Sequence, residues 1–315
     1  MIITVTPNIS LDKALIVEGS FEIGKTHRVK DITFVPGGKG VNASRALLGL
    51  GYKAPVLGFL GGNAGKQVKS IFEEEGIICD PVWINGETRT CYNIVDTINK
   101  TQTEVLERGP AITREDIDLL KDKISKYLSR DTIVCMGGSL PLGAPIELYA
   151  ELVELVKSKG GRVILDTSGK ALKKGLDACP FAVKPNKAEA EAILNIKLDP
   201  NDEEYKNIKE ALDRFSSKGI KLSMISMGKD GLFASYEGKY YRVTPPEDSN
   251  PVNAVGSGDS TVAGIALGLE QNLKIEEVLR LGAAMGTANV RTLKPGDVRK
   301  SDVEDILPKV EVTVI

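Results

Sequence analysis

Short apolar runs rich in valine and isoleucine alternate along this chain with longer stretches of helical periodicity. No other feature restricts the fold as much. Runs at 2–6, 55–60, 132–136, 162–165, 181–183 and 222–226 read as buried strands. Helical patterns at 41–50, 65–75, 114–128, 145–157, 186–194 and 203–217 lie between them. The alternation predicts an α/β fold, a doubly wound sheet with helices on both faces. Segments 258–271 and 275–291 are helical in pattern and rich in glycine and alanine, which suits close helix packing. The 315 residues allow one or two domains. No repeat or Pro/Ser linker divides them, so a single domain over 1–315 is expected.

Two regions break the rhythm. Segments 13–17 and 27–35 read as strands with no helix between them, and 91–98 with 103–106 reads as a hairpin around Asn99 and Lys100. A small second sheet follows, inserted at about 12–36 and 88–107. It would serve as a lid over a substrate or as an interface.

Composition removes several function classes. Basic and acidic residues nearly balance, 41 against 43, and no basic tail or aromatic-basic interleaving points to nucleic acid. The apolar runs are too short and too interrupted to span a membrane. The first residues, I-I-T-V-T-P, read as a strand and not as a secretion signal. Cys79, Cys91, Cys135 and Cys179 are scattered without a C-x-x-C, which predicts reduced thiols and a cytoplasmic protein. His27 is the single histidine, too few for a His-rich metal site.

The densest chemistry lies in N-A-V-G-S-G-D-S-T-V-A-G-I-A-L-G-L, from Asn253. Gly256, Ser257 and Gly258 lead into Asp259 and a helix. A glycine turn at a helix N-terminus presents unpaired amides and the positive dipole end, a cradle for an anion. Two readings stand together. Asp259 is a helix cap, or it is the proton acceptor beside an anion hole that phosphoryl transfer to a hydroxyl requires.

Other motifs have the same two-sided character. Residues 19–26, G-S-F-E-I-G-K-T, match a P-loop in letters. A P-loop must leave a buried strand and open a helix, whereas the residues after Lys25 alternate like an exposed strand, so a lid turn is expected. P-G-G-K-G-V-N-A is a second glycine-rich helix entry, where Gly38 lets a ligand approach the backbone and Lys39 and Asn42 share a helix face. K-P-N-K-A-E follows a strand, where α/β proteins bind ligands. Asn186 and Glu189 suit Mg²⁺ with its waters, or form a capping box. S-M-G-K-D-G ends another strand and carries a nucleotide or simply turns. Asp12 is an isolated acid after the first strand. Lys25, Arg28, Lys39 and Arg89 all belong to lid or lid-edge segments, a gathering of cations that suits an anionic small molecule.

Together these residues resemble the ribokinase-like sugar kinase family, also called the phosphofructokinase B family, along essentially the whole chain. G-G-K-G-V-N-A-S-R and N-A-V-G-S-G-D-S-T-V-A-G-I match its two signatures. K-P-N-K-A-E matches its metal and phosphate motif, and S-M-G-K-D-G its nucleotide loop. T-V-T-P-N-I-S-L-D, G-F-L-G-G, G-E-T-R-T, T-E-V-L-E-R-G-P and G-S-L-P-L-G look like the branch of tagatose-6-phosphate kinases and 1-phosphofructokinases, with features leaning to the former.

The resemblance implies a Rossmann-like domain with a β-sheet lid, MgATP as donor, and a ketohexose monophosphate converted to the bisphosphate. It implies Asp259 as catalytic base and the amides of Gly256, Ser257 and Gly258 as anion hole. Asp12, Gly38, Lys39 and Asn42 would hold sugar hydroxyls. Lys25, Arg89 and Ser139 would meet the substrate phosphate, and Lys184 the ATP phosphates. Asn186 and Glu189 would organise Mg²⁺ through water. Ser226, Gly228 and Gly231 would line the nucleotide, with Asn289 near adenine. The family also pairs lid sheets across two subunits, a homodimer. Asn253 stands where many members have Asp, which bears on a monovalent-cation site, and Ser257 where many have Ala. His27 replaces a cation of some relatives.

Overall fold

The structure is a computed structural model describing residues 1–202, 204–247 and 251–315. Its N-terminal part runs β1 (Ile2–Thr6), β2 (Ser10–Val17), β3 (Val29–Gly37), α1 (Lys39–Gly49), β4 (Val56–Leu60), α2 (Gly62–Glu75), β5 (Val82–Trp83), β6 (Arg89–Asp96) and β7 (Thr101–Leu106). The middle continues through α3 (Arg114–Tyr127), β8 (Ile133–Gly137), α4 (Leu148–Ser158), β9 (Arg162–Asp166), α5 (Gly169–Asp177), β10 (Ala182–Val183), α6 (Lys187–Leu194) and α7 (Lys206–Ser216). The remainder is β11 (Leu222–Ser226), β12 (Leu232–Tyr236), β13 (Lys239–Thr244), α8 (Ser257–Glu270), α9 (Ile275–Val290), α10 (Lys300–Ile306) and β14 (Glu311–Val314).

Among the described residues one sheet has the order β14-β13-β12-β11-β10-β9-β8-β1-β4-β5. Its strands from β11 to β5 run parallel, and β12, β13 and β14 close one end antiparallel. Strands β1, β4 and β8 are buried throughout, as their uninterrupted apolar runs require. One face is covered by α3, α4, α5 and α7 through residues such as Leu120, Leu152, Leu172 and Phe215. The other is covered by α1, α8 and α9 through Leu47, Ile265 and Met285. The small residues of α8 and α9 allow close contact: a Cβ added at Gly264 would sit 2.7 Å from the Leu281 carbonyl oxygen. No helix among the described residues is long and apolar enough to cross a membrane.

The expected second sheet is present, in the order β3-β2-β6-β7. Its register pairs Ser10 with both Gly37 and Arg89, so these three residues form a row at its root. The hairpin between β6 and β7 is closed by Asp96, whose carboxylate accepts from the amides of Ile98 and Asn99, both at 2.9 Å. The P-loop reading is excluded. Residues 19–28 contain turns and no helix, and β3 begins at Val29.

Several boundaries moved. The helix expected from 145 begins at Leu148, after a turn in which Leu148 N donates to Pro145 O at 3.0 Å. The one expected at 203–217 begins at Lys206, and Glu203 lies outside the described residues. Elements α5, α10, β13 and β14 were not anticipated. Helix α5 buries Leu172, Gly175 and Leu176 on one face, and β13 and β14 pair antiparallel at the end of the sheet.

Candidate active site

Parallel strands deliver their carboxyl ends to one edge of the sheet, and ligands of open α/β sheets bind there. At this edge Asp166 ends β9, Lys184 follows β10, and helices α1 and α8 begin. The lid root stands over the same edge, since β3 runs directly into α1.

Helix α8 opens as its glycine turn demands. Gly256 is the N-cap residue at φ 86°, a left-handed conformation that costs a residue with a Cβ about 1 kcal/mol or more. A Cβ there would also lie 2.9 Å from Gly296 N. Among the described residues the amides of Gly256, Gly258 and Asp259 have no acceptor, so the helix presents an open cradle. Ser257 N is directed at Ala254 O at 3.2 Å. Of the three amides expected to hold an anion, Ser257's is therefore engaged, while that of Asp259 is open. A Cβ at Gly258 would lie 3.2 Å from Lys184 Nζ, which puts a buried ammonium beside the cradle.

Asp259 faces a cleft lined also by Lys39, Gly137 and Asp166. Asn42 Nδ2 donates to its Oδ2 at 2.8 Å. Burial, then the negative charge of Asp166, push the Asp259 carboxyl up to about 6, against the opposing pull of Lys39, Asn42 and Lys184. Gly256, not Asp259, is the N-cap of α8, and Asp259 stands in the first turn with no side-chain capping bond among the described residues.

Asp166 was missed by sequence reasoning. Its carboxylate is 4% exposed and lies between two ammonium groups, 2.5 Å from Lys39 Nζ and 3.2 Å from Lys184 Nζ. Burial alone would raise this carboxyl, but Lys184 and Lys39 outweigh it and hold it below the ordinary range. Burial works against the charge on Lys39, yet Asp166 and then Asp259 hold its ammonium above the ordinary value. The available signal was an acid closing the apolar run R-V-I-L-D.

The lid root brings a second group together. Asp12 accepts from Ser10 Oγ at 2.6 Å, and its carboxyl is raised by burial. Gly37 passes so close that a Cβ there would overlap the Asp12 carboxylate. Gly38, at φ 123°, caps α1 and packs on Thr6. Arg89 Nε donates to Asn8 O at 3.1 Å, and Asn8 Nδ2 donates to Ser139 Oγ at 3.1 Å and Arg108 O at 3.0 Å. Arg89 and Ser139 are thus joined through Asn8, which the sequence reading did not single out.

Other expected residues stand differently. Lys25 is exposed in the turn between β2 and β3, paired with Glu22 at 2.6 Å, and among the described residues makes no bond to the rest of the site. His27 stays in that turn, its Nε2 against the Glu22 backbone and its ring against Phe21. Asn289 is fully buried. Its Nδ2 donates to Val255 O at 2.8 Å, and its Oδ1 accepts from Gly296 N at 2.7 Å. It props the glycine turn and leaves no surface for adenine. Gly231 is small because β13 passes it: a Cβ would lie 2.1 Å from Val243 O. Gly228, by contrast, is open, at the start of the turn after β11. Ser226 bridges to Asn186 and joins the two loops. Asn253 Nδ2 donates to Leu293 O at 2.8 Å.

Asn186 and Glu189 form the reciprocal capping box of α6, each side chain accepting from the other's amide at 2.9 Å. The cap uses Glu189 Oε2 and, among the described residues, leaves Oε1 without a hydrogen bond. Among the described residues no cluster of three or more His, Cys, Asp or Glu could enclose a metal. One carboxylate oxygen and one amide oxygen fit only an ion that keeps most of its waters, as Mg²⁺ does.

Residues 8–300 match the pfkB family carbohydrate kinases. The tagatose-6-phosphate kinase of Staphylococcus epidermidis is 35% identical over 314 residues, covering 99% of each chain. Phosphofructokinase-2 of Escherichia coli, solved with potassium, superimposes with a TM-score of 0.91 at 28% identity over 98% of each chain. Its tetrameric inhibited form gives 0.90 at the same identity and coverage. An anion cradle beside a carboxylate at the strand ends, under a β-sheet lid, agrees with that kinship. The chain belongs to the pfkB family of carbohydrate kinases and is a phosphotransferase that uses ATP to phosphorylate a sugar hydroxyl.

Proposed function

We propose that this chain is a tagatose-6-phosphate kinase, transferring the γ-phosphoryl group of ATP to the free primary hydroxyl of the ketohexose monophosphate. The observation that carries the chemistry is Asp259, seated beside the open amides of α8 with one carboxylate oxygen held by Asn42. The hydroxyl would give its proton to Asp259 as its oxygen meets the phosphoryl group. The amides of Gly258 and Asp259, with Lys184, would take up the charge on the phosphoryl oxygens. Lys39, tied to Asp166, would orient a sugar hydroxyl together with Asp12 and Asn42. Arg89 and Ser139 would receive the sugar's phosphate end, and Gly228 and Ser226 would border the nucleotide. Asn186 and Glu189 would hold Mg²⁺ through water, and the ion would neutralise charge on the ATP phosphates.

The full-length kinship with the staphylococcal tagatose-6-phosphate kinase supports the choice of sugar. Val29, Ile32 and Phe34 are at least 39% exposed on the outer strand of the lid, which supports lid-to-lid pairing of two copies. Cys79, Cys91, Cys135 and Cys179 are all unpaired, in keeping with work in the cytoplasm.

A coupled ADP-release assay over tagatose 6-phosphate, fructose 1-phosphate, fructose 6-phosphate and ribose tests the assignment. The highest kcat/KM is expected for tagatose 6-phosphate. Preference for fructose 1-phosphate would make the chain a 1-phosphofructokinase, and preference for unphosphorylated ribose would overturn the sugar-phosphate reading.

A further inference from the structure

Arg45 is 6% exposed, and all its engaged donors lie inside the protein. Its Nε pairs with Glu75 at 2.8 Å, and Glu75 in turn pairs with Lys294. Its Nη2 donates to Pro36 O at 3.0 Å, at the lid root. Its Nη1 donates to Pro295 O at 2.8 Å and to Asn42 Oδ1 at 3.1 Å. The planar fork therefore has four fixed directions, and a buried guanidinium so satisfied is rigid.

This contact decides the orientation of the Asn42 amide. Arginine only donates, so the atom facing Arg45 must be the amide oxygen. The amide nitrogen is then turned to the opposite side, where it holds Asp259 Oδ2 at 2.8 Å. With Arg45 removed, Asn42 could flip and present its oxygen to a carboxylate, exchanging an attraction for a repulsion.

We propose that Arg45 is a positioning residue for phosphoryl transfer, acting through Asn42 to hold the Asp259 carboxylate toward the acceptor hydroxyl. The inference rests on the reading of Asp259 as the base. Pro36 and Pro295 anchor Arg45 itself, and Glu75 neutralises it. Arg45 would touch neither sugar nor nucleotide.

The test compares Arg45→Lys, Asn42→Ala, their combination and Asp259→Asn, each checked for folding by its urea midpoint. Lysine keeps the charge for Glu75 but loses the fork. Arg45→Lys is expected to lower kcat about tenfold while both KM values stay within about twofold, the signature of a misplaced catalytic group. In the Asn42→Ala background the same change should lose most of its effect on kcat. Additive losses would overturn the proposal, as would a loss that merely follows the folded fraction. Wild-type kcat in Arg45→Lys beside an inactive Asp259→Asn would overturn this inference alone. Normal turnover by Asp259→Asn would remove the base itself, and the inference with it.

Discussion

Asn42 and Asp259 are 217 positions apart in sequence, and a hydrogen bond of 2.8 Å joins them. The bond ties the first turn of α1 to the first turn of α8, the two helices whose glycine turns meet at the strand ends. It occupies Oδ2 of Asp259 and leaves Oδ1 without a hydrogen bond among the described residues. One oxygen is held and the other is available to a substrate hydroxyl, which is the division a general base requires.

Replacing Asp259 with Asn keeps the shape and removes the proposed base. We expect kcat to fall about 10²–10⁴-fold, the usual size of a general-base contribution, with the KM for ATP little changed. Steady-state kinetics on both substrates checks this, and near-normal turnover would reject the assignment.

The pH profile should carry the mark of the same group. Burial and Asp166 raise the Asp259 carboxyl to about 6, so kcat/KM should fall as pH drops through that value and the base becomes protonated. Changing Asp166 to Asn removes a repulsive negative charge and leaves Lys39 and Lys184 unopposed. Both effects favour ionised Asp259, so the acid limb should move to lower pH. A limb that stayed in place or moved upward would mean that another group titrates.

Arg89 joins the lid root to Asn8, and through it to Ser139. Its Nη groups make no hydrogen bond among the described residues. Arg89→Ala should raise the KM for the sugar phosphate at least tenfold and leave that for ATP within about twofold, because a charged hydrogen bond to a ligand is worth about 1.5–3 kcal/mol. Equal changes in both would argue against a role at the sugar's phosphate.

Glu189 tests capping against metal binding. Glutamine serves a capping box as well as glutamate, so Glu189→Gln should leave the melting temperature nearly unchanged. It removes the anionic oxygen proposed to attract hydrated Mg²⁺, so the Mg²⁺ concentration for half-maximal rate should rise several-fold. A stability loss with unchanged Mg²⁺ dependence would assign Glu189 to the cap alone.

The α/β fold and its inserted lid were legible in the chain because periodicity is a local property. Buried parallel strands read as unbroken apolar runs, lid strands read as alternation, and glycine turns mark helix entries. The glycine turn at Gly256 and the acid beside it, Asp259, were legible for the same reason, being contiguous. Tertiary structure alone decided which separated groups meet. Asp166 acquires its weight from Lys39 and Lys184, which arrive from other elements. Asn289, read as a nucleotide contact, is consumed in holding the glycine turn. Asn8 and Arg45 became visible only through their partners. The physical reason is that electrostatic and hydrogen-bond energies depend on distance and burial, and those are set by how the chain returns on itself, not by its local order.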